Sequence, residues 1–461
     1  MSGPNKNVVL GLVVITSLIT PFLGASVNIA LPTMSTHFGM NAITMSWVSM
    51  AYLLASAVFL VPMGRLADMV GRVKVFIYGT LIVSVSSFAS AFAPTSEVLI
   101  FLRVVQGLGS SMMFGTNMAI VTSVFPPDQR GKAIGINVTA VYLGLSVAPV
   151  LGGIMTQHLG WESIFLITGP LVFAVAIAAM ILLKMKPQEP HGEKFDYRGS
   201  LIYLVSMSLL MYGLSKLPDF YAITLVIIGL SGMYLFARVE LRTAFPVFNM
   251  QLFLGNRLFA LSNLAALINY ATTFAVTFIL SLYLQYVKGL APREAGLVLV
   301  VQPIFMALTA SFSGKLSDKY SSGILASIGL GIIAAGLVLL LFLNGETTHT
   351  YLVVSLTILG IGFGLFSSPN TNSVMSSVER KDLGIASATV ATMRLTGQMV
   401  SMAIATLVIH VFIGQKAIGP ENRDQFLSTI PVTFGIFIAL SLLGIWASLI
   451  RSKKPTQLPV S

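Results

Sequence analysis

Gly64-Arg65-Leu66-Ala67-Asp68-Met69-Val70-Gly71-Arg72-Val73-Lys74 lies between two long apolar runs, and a shorter copy, Gly314-Lys315-Leu316-Ser317-Asp318-Lys319, lies between two more. The offset from Gly64 to Gly314 is 250 residues. A second pair agrees: Asn117–Gly131 and Asn370–Gly384 each run from a polar helix end through a charged turn to a glycine, at an offset of 253. Two pairs at nearly the same offset imply two related halves, each a set of membrane-crossing helices.

Composition agrees. Of 461 residues, 55% are hydrophobic and 9% charged, with a mean hydropathy of +0.88, against about 25% charged in soluble domains. The net charge of +11 is no nucleic-acid footprint, because the charges sit in short loops between apolar runs. Cysteine is absent, which excludes disulfides, thiolate chemistry and cysteine zinc sites. The first apolar run begins near Val8, has no clear small-residue cleavage site and reads as a retained span.

A spanning helix needs about 20 mainly apolar residues. That rule predicts fourteen spans, at 8–30, 44–66, 74–94, 97–124, 131–156, 161–184, 198–216, 220–238, 258–286, 293–314, 322–343, 351–377, 384–412 and 428–450. Of the 27 Lys and Arg residues, 20 fall on one side and 5 on the other, with Arg103 and Arg394 inside spans. The positive-inside rule then places both termini in the cytoplasm. Lys184–Arg198, with two prolines and seven charges, is a linker. The expected organisation is therefore all-α: a six-helix bundle over 1–186, a linker with two extra helices over 187–250, and a second six-helix bundle over 251–461.

Gly64 and Gly71 allow helix ends to approach. Asp68 can accept from Arg72 or from backbone N–H groups at a neighbouring helix start. With its copy at Gly314 and Asp318, the loop is expected to act as a conformational latch. The plainer reading is a tight loop of orientation charges.

These residues resemble the Major Facilitator Superfamily. Gly64-x-Leu66-Ala67-Asp68-x-x-Gly71-Arg72-x-Lys74 is similar to its signature loop, and Leu102-Arg103-Val104-Val105-Gln106-Gly107-Leu108-Gly109 to its fourth-helix motif. Gly144-x-x-x-Ala148-Pro149-Val150-Leu151-Gly152-Gly153 resembles its antiporter motif, with Ala148 where glycine is usual. The fourteen-helix drug/proton antiporter branch is resembled by Val27-Asn28-Ile29-Ala30-Leu31-Pro32, Phe195-Asp196-Tyr197-Arg198-Gly199 and Tyr283-Leu284-Gln285-x-x-x-Gly289 with Ala295-Gly296-Leu297. Gly360-x-Gly362-x-Gly364-x-x-x-x-Pro369-Asn370 adds to it. The resemblance covers essentially the whole chain. It implies export by alternating access, driven by a proton gradient without a bound cofactor, with Arg103 and Asp68 in coupling.

Arginine inside a span costs at least about 2.5–3.5 kcal/mol, so Arg103 needs a partner. Backbone carbonyls beside Gly24, or a carboxylate, are candidates; a purely structural tie to helix one is the alternative. Arg394 either faces the cavity or snorkels. Gly144, Pro149, Gly152 and Gly153 suit a sliding interface or ordinary close packing.

One departure from the branch is Leu23, where its members usually carry an aspartate. None of the sixteen acids falls at the middle of a span. A buried carboxylate is the natural proton carrier and partner of a cationic drug. Its absence, beside Arg103 and Arg394, favours neutral or anionic amphipathic cargo and leaves the proton-carrying residue open. Cavity candidates are Asn28, Gln106, Asn117, Asn137, Tyr142, Asn269, Tyr270, Gln302, Asn370, Arg394 and Gln398, with Met112, Met113, Met118 and Phe274 as an adaptable wall. For each, an interhelical hydrogen bond or core packing is the competing role.

A lipid carrier and a facilitator without proton coupling are the alternatives. A membrane enzyme would need clustered metal ligands or a nucleophile, and the histidines at 37, 158, 191, 349 and 410 are scattered, so no enzyme and no metal are expected. No Gly-Lys-Ser/Thr nucleotide loop is present, which argues against ATP drive. The expected setting is a multi-pass protein of a prokaryotic cytoplasmic membrane, embedded in lipid as a monomer, with no nucleic-acid partner.

Overall fold

The computed structural model describes residues 5–183, 195–243, 246–248, 250–317, 319–379 and 383–452. The chain is all-helical over these residues. The first six long helices are α1 (Lys6–Phe38), α2 (Ala42–Val70), α3 (Arg72–Ser90), α4 (Ser96–Val124), α5 (Pro127–Leu159) and α6 (Glu162–Leu182). Then come α7 (Tyr197–Lys216), α8 (Phe220–Glu240) and a short α9 (Met250–Gly255). The rest are α10 (Arg257–Leu282), α11 (Pro292–Leu299), α12 (Val301–Ser317), α13 (Ser322–Leu340), α14 (His349–Ser376), α15 (Leu383–Ile413) and α16 (Arg423–Ser452).

The helix starts follow local chemistry. Asn5, Asn41, Thr95, Asp196, Asn256 and Thr348 each cap a helix by accepting a backbone N–H, satisfying donors that the first turn leaves free. Pro127 and Pro292 open α5 and α11, where a missing N–H costs nothing. Short turns then return each helix antiparallel to the last. We call the end of the bundle that holds Lys6 and Ser452 the terminal end, and the opposite end distal.

Thirteen helical segments among the described residues are long and apolar enough to cross a membrane. The expected seventh span forms a helix, α7, but is not among them. Its serines at 200, 206, 208 and 215 lower its hydropathy. The expected tenth span is split at Val300 into α11 and α12. Pro303, three residues on, lacks the N–H that the Leu299 carbonyl would accept. The short α9 was not expected, being too short for a span-length window.

Packing repeats between the halves. Helix α2 lies on α4, α3 on α4 and α6, and α1 on α5; likewise α12 lies on α14, α13 on α14 and α16, and α10 on α15. The repeat is visible in single atoms. A Cβ on Gly79 would meet the carbonyl of Gly109, and one on Gly109 the carbonyl of Gly79; Gly329 and Gly362 are related in the same way. In lipid no hydrophobic force drives helices together, so such close approaches supply the packing. Large apolar side chains such as Phe92, Phe101, Leu308, Phe312 and Trp446 are exposed on the outside, as a lipid-facing surface requires.

Gly109→Leu is expected to wedge α3 from α4 and lower stability by roughly 1–3 kcal/mol. Gly11→Leu, where a Cβ meets nothing within 4 Å, should change it by less than about 0.5 kcal/mol. Thermal unfolding of both variants in detergent checks the difference.

Candidate functional site

Arg103 shows how the interior handles a charge. It is fully buried on α4. Its Nε donates to the Val48 carbonyl of α2 at 3.1 Å, and an Nη donates to Gln106 Oε1. Gln106 Nε2 in turn donates to Ser87 Oγ of α3 at 2.5 Å. The guanidinium lies over the Tyr52 ring, 4.3 Å from its centroid, a contact worth about 0.5–2 kcal/mol. Tyr52 donates to the Thr20 carbonyl of α1 at 3.3 Å. The arginine thus ties α4 to α2 and α3 and, through Tyr52, reaches α1. The expected partners, the carbonyls beside Gly24 or a carboxylate, are replaced by Val48, Gln106 and Tyr52. Gln106, expected in the cavity, belongs to this network.

The cavity lies between the halves in two adjoining chambers of about 650 and 740 Å³. Both are lined by Ala25, Leu145, Tyr270, Phe274, Phe363 and Gln398. The first adds Asn28, Thr273, Thr277, Gln302 and Met306; the second adds Tyr52, Phe114, Tyr142 and Arg394. Arg394 is the one charged side chain among the described residues of the lining. It sits 5.2 Å from the Phe114 ring centroid. Tyr142 meets Ser367 of α14 at 2.5 Å, and Tyr270 packs edge-on against Phe363.

Of the expected cavity residues, Asn28, Tyr142, Tyr270, Gln302, Arg394 and Gln398 line these chambers, and so does Phe274. The others do not. Asn117 donates to Ser17 Oγ at 3.0 Å, and Asn370 to the Ser262 carbonyl at 3.1 Å: both are interhelical ties. Asn137 and Asn269 are buried outside the lining. Met112 and Met113 are buried away from the cavity. Met112 lies against Gly79 of α3. Met118 is also outside the lining, and Met306 takes the methionine role instead. Leu23 is fully buried in the apolar core, while its neighbours Gly24 and Ala25 face the cavity.

The glycines expected in the antiporter motif hold α5 between two partners. A Cβ on Gly144 would strike the Leu18 carbonyl, and one on Gly152 would strike Ser26, both of α1. A Cβ on Gly153 would meet Pro292 and Arg293 of α11, and one on Gly296 of α11 would strike the Pro149 carbonyl. Other bonds cross between the halves nearby. Ser281 donates to the Asn28 carbonyl at 2.9 Å, Gln285 to the Ile29 carbonyl at 3.0 Å, and Ala42 to the Lys416 carbonyl at 3.0 Å. Arg293 N donates to Gln157 Oε1 at 3.3 Å. These contacts join the two halves on the distal side of the cavity.

At the terminal end, Arg72 pairs with Asp68 at 2.8 Å, with side chains 28% and 42% exposed. Arg72 also reaches the Ala119 carbonyl of α4 at 3.5 Å. Gly71 has φ +114°, a turn conformation that favours glycine, and Gly64 lies against Gly115 of α4. In the second copy, Gly314 lies against Ser368, and Asn372 donates to Ser317 Oγ at 3.3 Å. Asp318 lies outside the described residues. Each loop is thus tied to the fourth helix of its own half.

Arg103→Lys keeps the charge but loses the planar fork that serves Val48 and Gln106 together. It should cost about 1–3 kcal/mol of stability, read by thermal unfolding. The natural absence of cysteine makes a second check clean. In Gln157→Cys with Arg293→Cys, a short bifunctional thiol reagent should join α5 to α11 and arrest transport; either single variant treated alike should remain active.

The sequence profile of the Major Facilitator Superfamily matches residues 13–262 and again 262–461. The chain is 30% identical to the riboflavin transporter RibZ of Clostridioides difficile, over 89% of each protein. It is 27% identical to the methylenomycin A resistance protein of Streptomyces coelicolor, over 89% of this chain and 88% of that one. Identity to the multidrug resistance protein Stp of Mycobacterium tuberculosis is 26%, over 84% of this chain and 73% of that one. A crystal structure of a bacterial homologue of the human lysosomal transporter Spinster, in an inward-facing and occupied conformation, shares the fold. Its TM-score is 0.67 at 16% identity, over 98% of both chains. Relatives and fold are those of membrane transporters, not of enzymes. The duplicated packing, the cavity between the halves and these likenesses agree, and the chain belongs to the Major Facilitator Superfamily.

Proposed function

We propose that this chain is a secondary exporter of amphipathic, neutral or anionic small molecules, working by alternating access in exchange for protons. The observation that carries the substrate class is the cavity lining, in which Arg394 is the one charged group among the described residues, set among aromatic rings and uncharged amides and hydroxyls. An anionic group lowers the cost of holding Arg394 away from water, while a cation would meet repulsion with no carboxylate to offset it. Fourteen spans with cytoplasmic termini, in the drug/proton antiporter branch, are part of this reading, supported by the basic loops at the terminal end. In this reading the distal contacts between the halves seal the cavity from the outside. Tyr52, within reach of both Arg103 and the cavity, is a route by which cargo acts on the buried charge network. The lack of an acid in the lining favours one competitor, a facilitator without proton coupling.

Sealed proteoliposomes with a trapped pH dye distinguish the two. Neutral or anionic cargo should trigger proton movement in the wild type and none in Arg103→Ala; uptake of labelled cargo with no proton movement would establish the facilitator. Arg394→Gln should lower the affinity for anionic cargo about tenfold, the equivalent of roughly 1.4 kcal/mol, and leave neutral cargo nearly unchanged.

A further inference from the structure

The inserted helices carry a buried acid that the cavity does not use. Asp196 caps α7, its Oδ1 accepting from Gly199 N at 2.8 Å. Glu240 ends α8 and is 2% exposed, and its Oε2 accepts from Phe248 N at 2.8 Å. Each carboxylate therefore has one oxygen held by the backbone. The other two, Asp196 Oδ2 and Glu240 Oε1, are buried with no donor. Both sit where a Cβ on Gly199 would lie, so they face each other within hydrogen-bonding reach.

No basic group among the described residues neutralises them. Arg198 and Arg242 are exposed, and Arg238 turns to Tyr234 Oη at 2.9 Å. The segment Pro246-Val247-Phe248 carries no charge. Among the described residues, Asp196 is the one charged group acting on Glu240. Lys194 lies outside the described residues. Two ionised carboxylates so placed repel, and both are partly stripped of water. A single proton removes the conflict by making one oxygen a donor to the other, a charge-assisted bond.

We propose that Asp196 and Glu240 form a proton-binding site, holding one proton between them at the terminal end of the α7–α8 pair, outside the transport cavity. Glycine at 199 leaves the room for the two oxygens to meet. With the proton bound, Glu240 keeps Phe248 N and fixes the segment that leads through α9 into α10. With the proton lost, two facing charges part, and that segment is released. Because burial favours the protonated form of Glu240, the stabilisation is present at low pH and is lost as pH rises through the titration of Glu240.

Infrared difference spectra of the full-length protein in nanodiscs, titrated from mildly acidic to mildly alkaline pH, test this without measuring transport. The wild type should show the C=O stretch of an un-ionised carboxyl that fades as pH rises. Glu240→Gln should abolish it, and Asp196→Asn should shift its loss to lower pH. The melting temperature should fall with rising pH in the wild type and stay flat in Glu240→Gln, whose amide donates to Asp196 permanently. Absence of the band from the wild type, or its persistence in both variants, would overturn the proposal. So would suppression of the band at fixed pH by sodium, magnesium or calcium, which would make the pair a metal-cation site. The wild-type titration decides even if a variant fails to fold.

Discussion

Backbone-to-backbone approach at glycine is the constraint on which this architecture rests. Lipid tails are as apolar as the side chains they touch, so the helices gain little by hiding apolar surface from lipid; they gain by packing closely. Gly79 against Gly109, repeated as Gly329 against Gly362, brings main chains into direct contact. The same device holds α5 on α1 within one half and on α11 across the seam. Within-half contacts of this kind tie the helices of each bundle together, and the seam contact joins one bundle to the other.

The fixed bundles explain how a buried arginine is tolerated. Arg103 is held by groups that are already in place: a main-chain carbonyl, a glutamine one turn on and an aromatic face. Arg394 differs in lying half-buried at the cavity wall, with the Phe114 ring and the Tyr270 hydroxyl beside it. One cation is built into the frame and the other is presented to what enters.

Much of this was legible in the sequence. The duplicated loop, the glycine spacings and the runs of apolar residues are local patterns, and they mark the helices and their repeat. Side-chain destinations were less legible. One partner of Arg103 is the carbonyl of Val48, a main-chain group that every residue carries and that leaves no trace in residue type. The spacing of Gln106, three residues after Arg103, did signal a shared helix face, and could have placed it in the network rather than the cavity. Asn117 and Asn370 illustrate the general difficulty: an amide suits an interhelical bond as well as a ligand, and only the rotation of its helix decides. Thr273, Thr277, Met306 and Phe363 were missed for the same reason, since nothing in their types separates lining from packing.

The position of α7 bears on how molecules dissolved in the bilayer meet this protein. That helix lies against α2 of one half and α15 of the other. Tyr203 donates to the Ala57 carbonyl, Trp47 stacks near Tyr212, and His410 meets the Leu217 carbonyl. One flank of the groove between the halves is therefore plastered over, while the opposite flank, where α5 meets α11 and α12, has no such cover from α7 or α8. The two flanks thus offer the hydrocarbon phase different surfaces: the seam itself where α5 meets α11 and α12, and α7 laid across it on the other side.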